Sequence, residues 1–236
     1  MYYYGFDPTY ILVIIGIVIT MWAQAKMKST FMKYSQVRSQ TGMTGQEVAR
    51  RILMANGIFD VTVEPVAGQL TDHYDPTKKV VKLSEVIYNS GSVAAIGVAA
   101  HECGHAIQDN QEYLPLRLRS AIVPVANIGS TLSWPMILIG VVLASMGSGS
   151  GYSLISIGIL LFSLAVLFQV VTLPVEFDAS RRALQQLNVT GILPSGEAAQ
   201  AKAVLSAAAL TYVAAAASSM LQLLRLVILF GGRRRD

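Results

Sequence analysis

Four long apolar runs limit this chain more than any other feature. They cover about Tyr10–Ala25, Ala121–Met146, Tyr152–Val175 and Val204–Phe230. A stretch of about 20 apolar residues is long enough to cross the ~30 Å hydrocarbon core of a bilayer as one helix. Only 14% of the 236 residues are charged and 53% are hydrophobic, whereas soluble domains carry about 25% charged residues. The expected class is a mainly α membrane protein with three or four transmembrane helices. The last run differs from the others. Arg225 lies inside it and Arg233, Arg234 and Arg235 follow it, against the usual cytoplasmic bias of basic flanks. The balance leans towards a span.

The basic residues set the expected topology. Residues 26–119 hold 11 Lys and Arg and residues 176–204 hold 3, while the N-terminal stretch and the Gly147–Gly151 linker hold none. By the positive-inside rule the polar segments face the cytoplasm. A secretory signal would carry its positive charge before the apolar run; here Lys26, Lys28 and Lys33 come after it, so an uncleaved anchor is expected. The runs at 121–146 and 152–175 form a hairpin with both feet basic, and Pro124 and Pro135 predict a kink in its first arm. A net charge of +4 does not point to nucleic acid, and one cysteine excludes an internal disulfide.

The polar part reads as a small α+β unit. Thr44 with Glu47 three residues on is a capping box, opening a helix that stops at Asn56-Gly57. Val61–Glu64 and Val80–Ser84 read as strands, the second as a sheet edge where a peptide could add as a strand. Asn89–Ser92 is a loop. A helix then runs to about Glu112 and ends before Pro115.

That helix carries His101-Glu102-Cys103-Gly104-His105. Residues four apart share one helix face, so two imidazoles at this spacing can hold one Zn²⁺, with the glutamate between them placed as general base towards a water at the ion. Only three histidines occur in the chain, two of them here. The apolar stretch Val93–Ala100 before them predicts a buried helix, where a histidine needs a partner or a metal. Cys103 points off the ligand face and reads as packing, and Gly104 as a point of close helix contact.

A catalytic zinc takes three protein ligands and leaves a position open. The candidates for the third are His73, Asp109, Glu112, Glu176 and Asp178. Glu112 lies about 10.5 Å further along the same helix than His105. Asp109 has a short side chain a turn past the site, and His73 sits in a polar turn. Glu176 is preferred, because the hairpin returns the chain to the face it left. His73, Tyr74 and Tyr212 could donate to an oxyanion, although each is more commonly structural.

The chain resembles the bacterial membrane zinc metallopeptidases of the neutral zinc peptidase (YugP-like) family. The resemblance rests on Ser39–Gly45, Leu70–Pro76, His101–Gln108 and Leu173–Arg182, and is close to full length. The chain is similar, more distantly, to peptidases related to HtpX and the CAAX-processing protease. The resemblance implies one zinc per chain held by His101, His105 and Glu176, a gluzincin-like set, with Glu102 as base. The distant relatives carry Glu-Phe-x-Ala-Asp, whose aspartate orients a ligand. Ser180 stands at that place, so the role is not carried over to it; Asp178 and Asp72 are the alternatives.

The expected organisation is an N-terminal anchor (1–25), a cytoplasmic zincin-like unit with the active-site helix (26–119), a transmembrane hairpin (120–175), a cytoplasmic helix with the third ligand (176–203) and an apolar C-terminal helix with a basic tail (204–236). The expected function is a multi-pass zinc endopeptidase of the cell (inner) membrane with its site facing the cytoplasm. It would cut peptides or proteins, membrane proteins among them. The alternative is a membrane protein holding zinc for structure or sensing. An intramembrane protease is disfavoured because the apolar run before His101 is too short to span. A metal transporter is disfavoured because the spans carry few ionisable residues.

Overall fold

The structure is a computed structural model and describes residues 7–231. The first six residues and the Arg233–Arg235 triplet, on which part of the topology reading rests, lie outside them. Among the described residues four helices are long and apolar enough to cross a membrane: α1 (Tyr10–Ser35), α5 (Leu114–Ser145), α6 (Ser150–Val189) and α7 (Ser195–Phe230). The remaining elements are α2 (Gly45–Ala55), β1 (Thr62–Val66), β2 (His73–Asp75), β3 (Val80–Ser84), α3 (Glu85–Tyr88) and α4 (Val93–Asn110). At 40 residues, α6 is about 60 Å long, twice the thickness of a hydrocarbon core. One half of it is apolar, and the other carries Glu176, Asp178, Arg181 and Arg182.

The chain divides into two compact units. One gathers Met1–Trp22, Leu118–Thr172 and Tyr212–Asp236. In it α5 and α6 are joined by a short turn in which Gly147 has φ +83°, a left-handed conformation that glycine adopts without steric cost. Trp134 meets Phe162 edge-on at 6.0 Å, and Ile137, Phe162, Val166 and Leu226 form a small core. Arg225 is not stranded among apolar side chains. Its guanidinium donates to Thr9 Oγ1 (3.1 Å), pairs with Asp7 (3.3 Å) and lies over the Tyr10 ring at 4.3 Å. Gly16, further along α1, approaches Ser218, earlier on α7. The two helices are therefore antiparallel, and the end of α7 lies beside the start of α1.

The second unit gathers Ala23–Arg117 and Leu173–Thr211. Its α2 opens as the sequence predicts: the Thr44 N–H and hydroxyl both donate to Glu47 Oε2, at 2.7 and 2.8 Å. It closes at Asn56, whose amide donates to Ile52 O and to Gln186 on α6. The sheet order is β1-β3-β2, with β1 parallel and β2 antiparallel to β3. This corrects the expected edge. Val80–Ser84 is the central strand, with both sides paired, and cannot take a further strand. The edges are β1, guarded by Pro65, which lacks an N–H to offer, and β2. No strand is legible at His73–Asp75 in the sequence, because a three-residue polar stretch before proline has the composition of a turn.

The core of this unit is built around α4. Every residue from Val93 to Gln108 is buried except Val98 and His101, which are half-buried. Ile52, Leu83, Ile87, Ile96, Leu187 and Ile192 pack in the same cluster. Ser92 starts the helix by accepting from the Ala95 N–H at 3.2 Å. A helix covered on all sides must be apolar all round, and Val93–Ala100 is. The polar groups that follow on it therefore need partners inside the protein.

Candidate metal centre

His101 and His105 lie one turn apart on the same face of α4, their rings edge to face with centroids 4.8 Å apart. Glu176 reaches them from α6. Its Oε2 is 3.2 Å from His101 Nε2 and 3.6 Å from His105 Nε2. The ligand atoms of these three residues all lie within 4.8 Å of one another, and the Glu176 side chain is only 3% exposed. Among the described residues no other group of His, Cys, Asp and Glu converges in this way.

Gly104 allows the two helices to meet. A Cβ at this position would lie 2.4 Å from the Ala179 carbonyl oxygen. Ala179 stands three residues after Glu176, so the close contact and the ligand are on the same turn of α6. Cys103, on the other side of α4, is fully buried and donates to Ala49 O of α2 at 3.5 Å. Burial pushes its thiol pKa far up, so it is not a nucleophile.

The outer nitrogens of both rings are engaged. His105 Nδ1 lies 3.0 Å from Gln108 Oε1, and Gln108 Nε2 donates to Val175 O (2.8 Å) and Asp178 Oδ2 (3.0 Å). Asp178 pairs in turn with Arg181 and Arg182. His101 Nδ1 lies 3.2 Å from Ser180 Oγ. This revises the reading of the outer contacts. Ser180, at the place of the distant relatives' aspartate, does touch His101. Asp178 acts one step removed, through Gln108, and Asp72 is held elsewhere by the N–H and hydroxyl of Ser84. Gln108 was missed altogether, although its i+3 spacing from His105 places it on the ligand face.

The other ligand candidates have other partners. Asp109 accepts from the Tyr74 hydroxyl and from Lys79, both at 2.7 Å. Glu112 is exposed and pairs with Arg117. His73 is exposed on β2, with Nδ1 2.7 Å from Thr71 O. Tyr74 gives its hydroxyl to Asp109, and burial with that contact holds its pKa well above the usual phenol value. It is not a free oxyanion donor. Tyr212 belongs to the other unit.

Glu102 is buried, at 7% exposure. Burial pushes its pKa up to about 7, and the nearby charges of Glu176 and Asp72 add to the rise. His101 and the backbone N–H of Tyr74 on β2 oppose it. Edge strand β2 therefore runs beside this carboxyl.

The donors fit a zinc ion. Two imidazole nitrogens and one carboxylate oxygen converge, a set that zinc takes with a position left for water or substrate, and each outer ring nitrogen is turned towards an oxygen. The carboxyl of Glu102 is buried beside this set.

Comparison with known proteins agrees with this geometry. The family described as "Putative neutral zinc metallopeptidase" matches residues 9–231. The chain is 51% identical over 219 residues to the Bacillus subtilis (strain 168) protein named "Putative membrane protease YugP", covering 93% of this chain and 95% of that one. No protein of solved structure matches. With nearly the whole chain matched and the ligand atoms converging, this protein belongs to the neutral zinc metallopeptidase family.

Proposed function

We propose that the chain is a membrane-bound zinc endopeptidase, with one zinc held by His101, His105 and Glu176 and with Glu102 as general base. The observation that carries this reading is the sorting of the imidazole nitrogens: both Nε2 atoms face Glu176, and both Nδ1 atoms face oxygen atoms of other side chains. A zinc ion bound there lowers the pKa of a water and polarises the scissile carbonyl. The residues supply the rest. Glu102 takes the proton of the attacking water on its carboxylate and returns it to the leaving amine. Buried beside the ligand set, this carboxyl is placed to accept a proton and to give it back.

The peptide lies along the free edge of β2, paired with its backbone. The polar unit faces the cytoplasm from the cell membrane. The segments act as an anchor (1–25), catalytic unit (26–119), hairpin (120–175), ligand helix (176–203) and C-terminal span (204–236). Substrates are peptides or proteins, including those of the same membrane. A purely structural zinc is disfavoured, because structural sites are closed by four protein ligands and three converge here among the described residues.

The test is hydrolysis of an unstructured protein by the detergent-purified chain beside Glu102→Gln, with zinc measured in both. The expected result is cleavage by the parent alone at equal zinc content. Full cleavage by the zinc-loaded variant would sink the assignment of Glu102.

A further inference from the structure

Gln108 is fully buried, and its amide touches three groups. His105 Nδ1 is at one end, while Val175 O and Asp178 Oδ2 are at the other. A backbone carbonyl has no proton to give. The Asp178 carboxylate, paired with Arg181 and Arg182, offers only lone pairs. The end of the amide that faces them must be the NH₂ group, however the amide is drawn. Its oxygen therefore faces His105. That oxygen has no proton either, so the hydrogen in the contact belongs to His105 Nδ1. A neutral imidazole carries one N–H, and Nε2 is left as a bare lone pair directed at Glu176.

We infer that Gln108 is a positioning residue that holds His105 in the one tautomer able to bind a metal through Nε2, with Val175 O and Asp178 fixing the direction of the amide. The inference rests on the zinc reading of the site. His101 has no equivalent lock, because the Ser180 hydroxyl can donate or accept. The neutrality of the amide also has a reason. Glu102 and Glu176 already place two carboxyls at this buried site, and a third would raise the cost of burying charge.

The experiment is zinc affinity by chelator competition on the detergent-purified chain, for the parent, Gln108→Leu, Gln108→Glu and Ser180→Ala. Melting temperatures and the visible spectra of the Co²⁺-loaded proteins are read alongside. Gln108→Leu removes the acceptor and is expected to weaken zinc by about 10–100-fold, the usual cost of losing such an outer contact. Gln108→Glu keeps the size but turns an oxygen towards two acceptors. It is expected to weaken zinc as well, and to recover in part when combined with Asp178→Asn. Ser180→Ala should cost less than either.

A glutamine that only packs would lower the melting temperature and leave the zinc affinity of folded protein unchanged. If both Gln108 variants fold and bind zinc within about twofold of the parent, well short of that outer-contact cost, the inference is overturned. If the parent takes up no zinc, or His105→Ala leaves uptake unchanged, the zinc reading itself falls and this inference with it. That result is distinct from equal binding by all variants.

Discussion

Replacing Gly104 by alanine sets two principles against each other. Glycine inside a helix costs about 1 kcal/mol relative to alanine, so helix propensity alone predicts that Gly104→Ala stabilises the protein. Packing predicts the reverse. The added Cβ would sit 2.4 Å from Ala179 O, 3.0 Å from its carbonyl carbon and 3.1 Å from its Cα. All three are backbone atoms of α6, with no flexible side chain to turn aside, and ordinary contact begins near 3.4 Å. The helices must part by about 1 Å, and overpacking of this kind costs about 1–3 kcal/mol. The packing cost offsets or exceeds the gain in propensity, so the variant is expected to be no more stable than the parent.

The metal effect is less ambiguous. Glu176 stands on the turn of α6 that must move, whereas His101 and His105 stay on α4. Ligand distances tolerate deviations of about 0.2 Å, so a shift of about 1 Å removes the carboxylate from the ligand set. Zinc affinity in Gly104→Ala should fall by more than the ~10–100-fold expected for an outer contact. Chelator competition and thermal unfolding with and without zinc measure both effects in one preparation. A variant with a raised melting temperature and parental zinc affinity would refute the argument, and with it the claim that the α4–α6 contact sets the site.

Two further predictions follow from charge. In zinc-free protein the pKa of Glu102 is raised from 4.5 to about 7, so its burial costs nothing below pH 4.5, a cost that grows between pH 4.5 and pH 7, and a constant ~3 kcal/mol above that, at about 1.36 kcal/mol per unit. Chelator-stripped Glu102→Gln should therefore gain stability on the parent as pH rises from 4.5 to 7 and keep that gain above 7, and a difference independent of pH would refute this. In the other unit, Asp7→Lys should lower the melting temperature by several degrees by placing two cations together, and the exchange Asp7→Lys with Arg225→Asp should restore most of the loss. Failure of the exchange to recover stability would mean that Arg225 is held by Tyr10 and Thr9 rather than by the ion pair.

Much of this site can be read in the sequence, because its central parts are local. The i, i+4 spacing of His101 and His105 fixes their common face once a helix is granted, and Val93–Ala100 makes that helix buried. Thr44 and Glu47 mark the start of α2 for the same local reason. Glu176 lies far along the chain, yet the two apolar arms between it and His105 narrow the choice to segments that return. The outer contacts were harder to read. Ser180 was set aside because the distant relatives have an aspartate there, although a hydroxyl reaches the same nitrogen. Gln108 escaped because an uncharged amide is not a usual ligand, and its task is defined only by Val175 O and Asp178 on another helix.

Strand order was not legible at all, and it matters most for substrate. Val80–Ser84 and Val61–Glu64 both read as strands, but nothing local says which is flanked on both sides. The third strand is three residues long and polar, without the alternation that marks a strand. Its place is set by tertiary contacts: Tyr74 reaches Asp109 on α4, and its backbone N–H faces Glu102. For the endopeptidase proposed here, this puts the sheet edge beside the base, among the described residues, on a very short strand. With the Tyr74 N–H turned to Glu102, a strand this short offers a peptide only about one or two backbone hydrogen bonds, each worth about 1 kcal/mol net, which is too little for tight binding of a freely diffusing peptide. A substrate anchored in the same membrane meets the site at an effective concentration that tethering can raise to about the millimolar range. A weak edge is then sufficient, and the shared membrane rather than the contact would select what is cut.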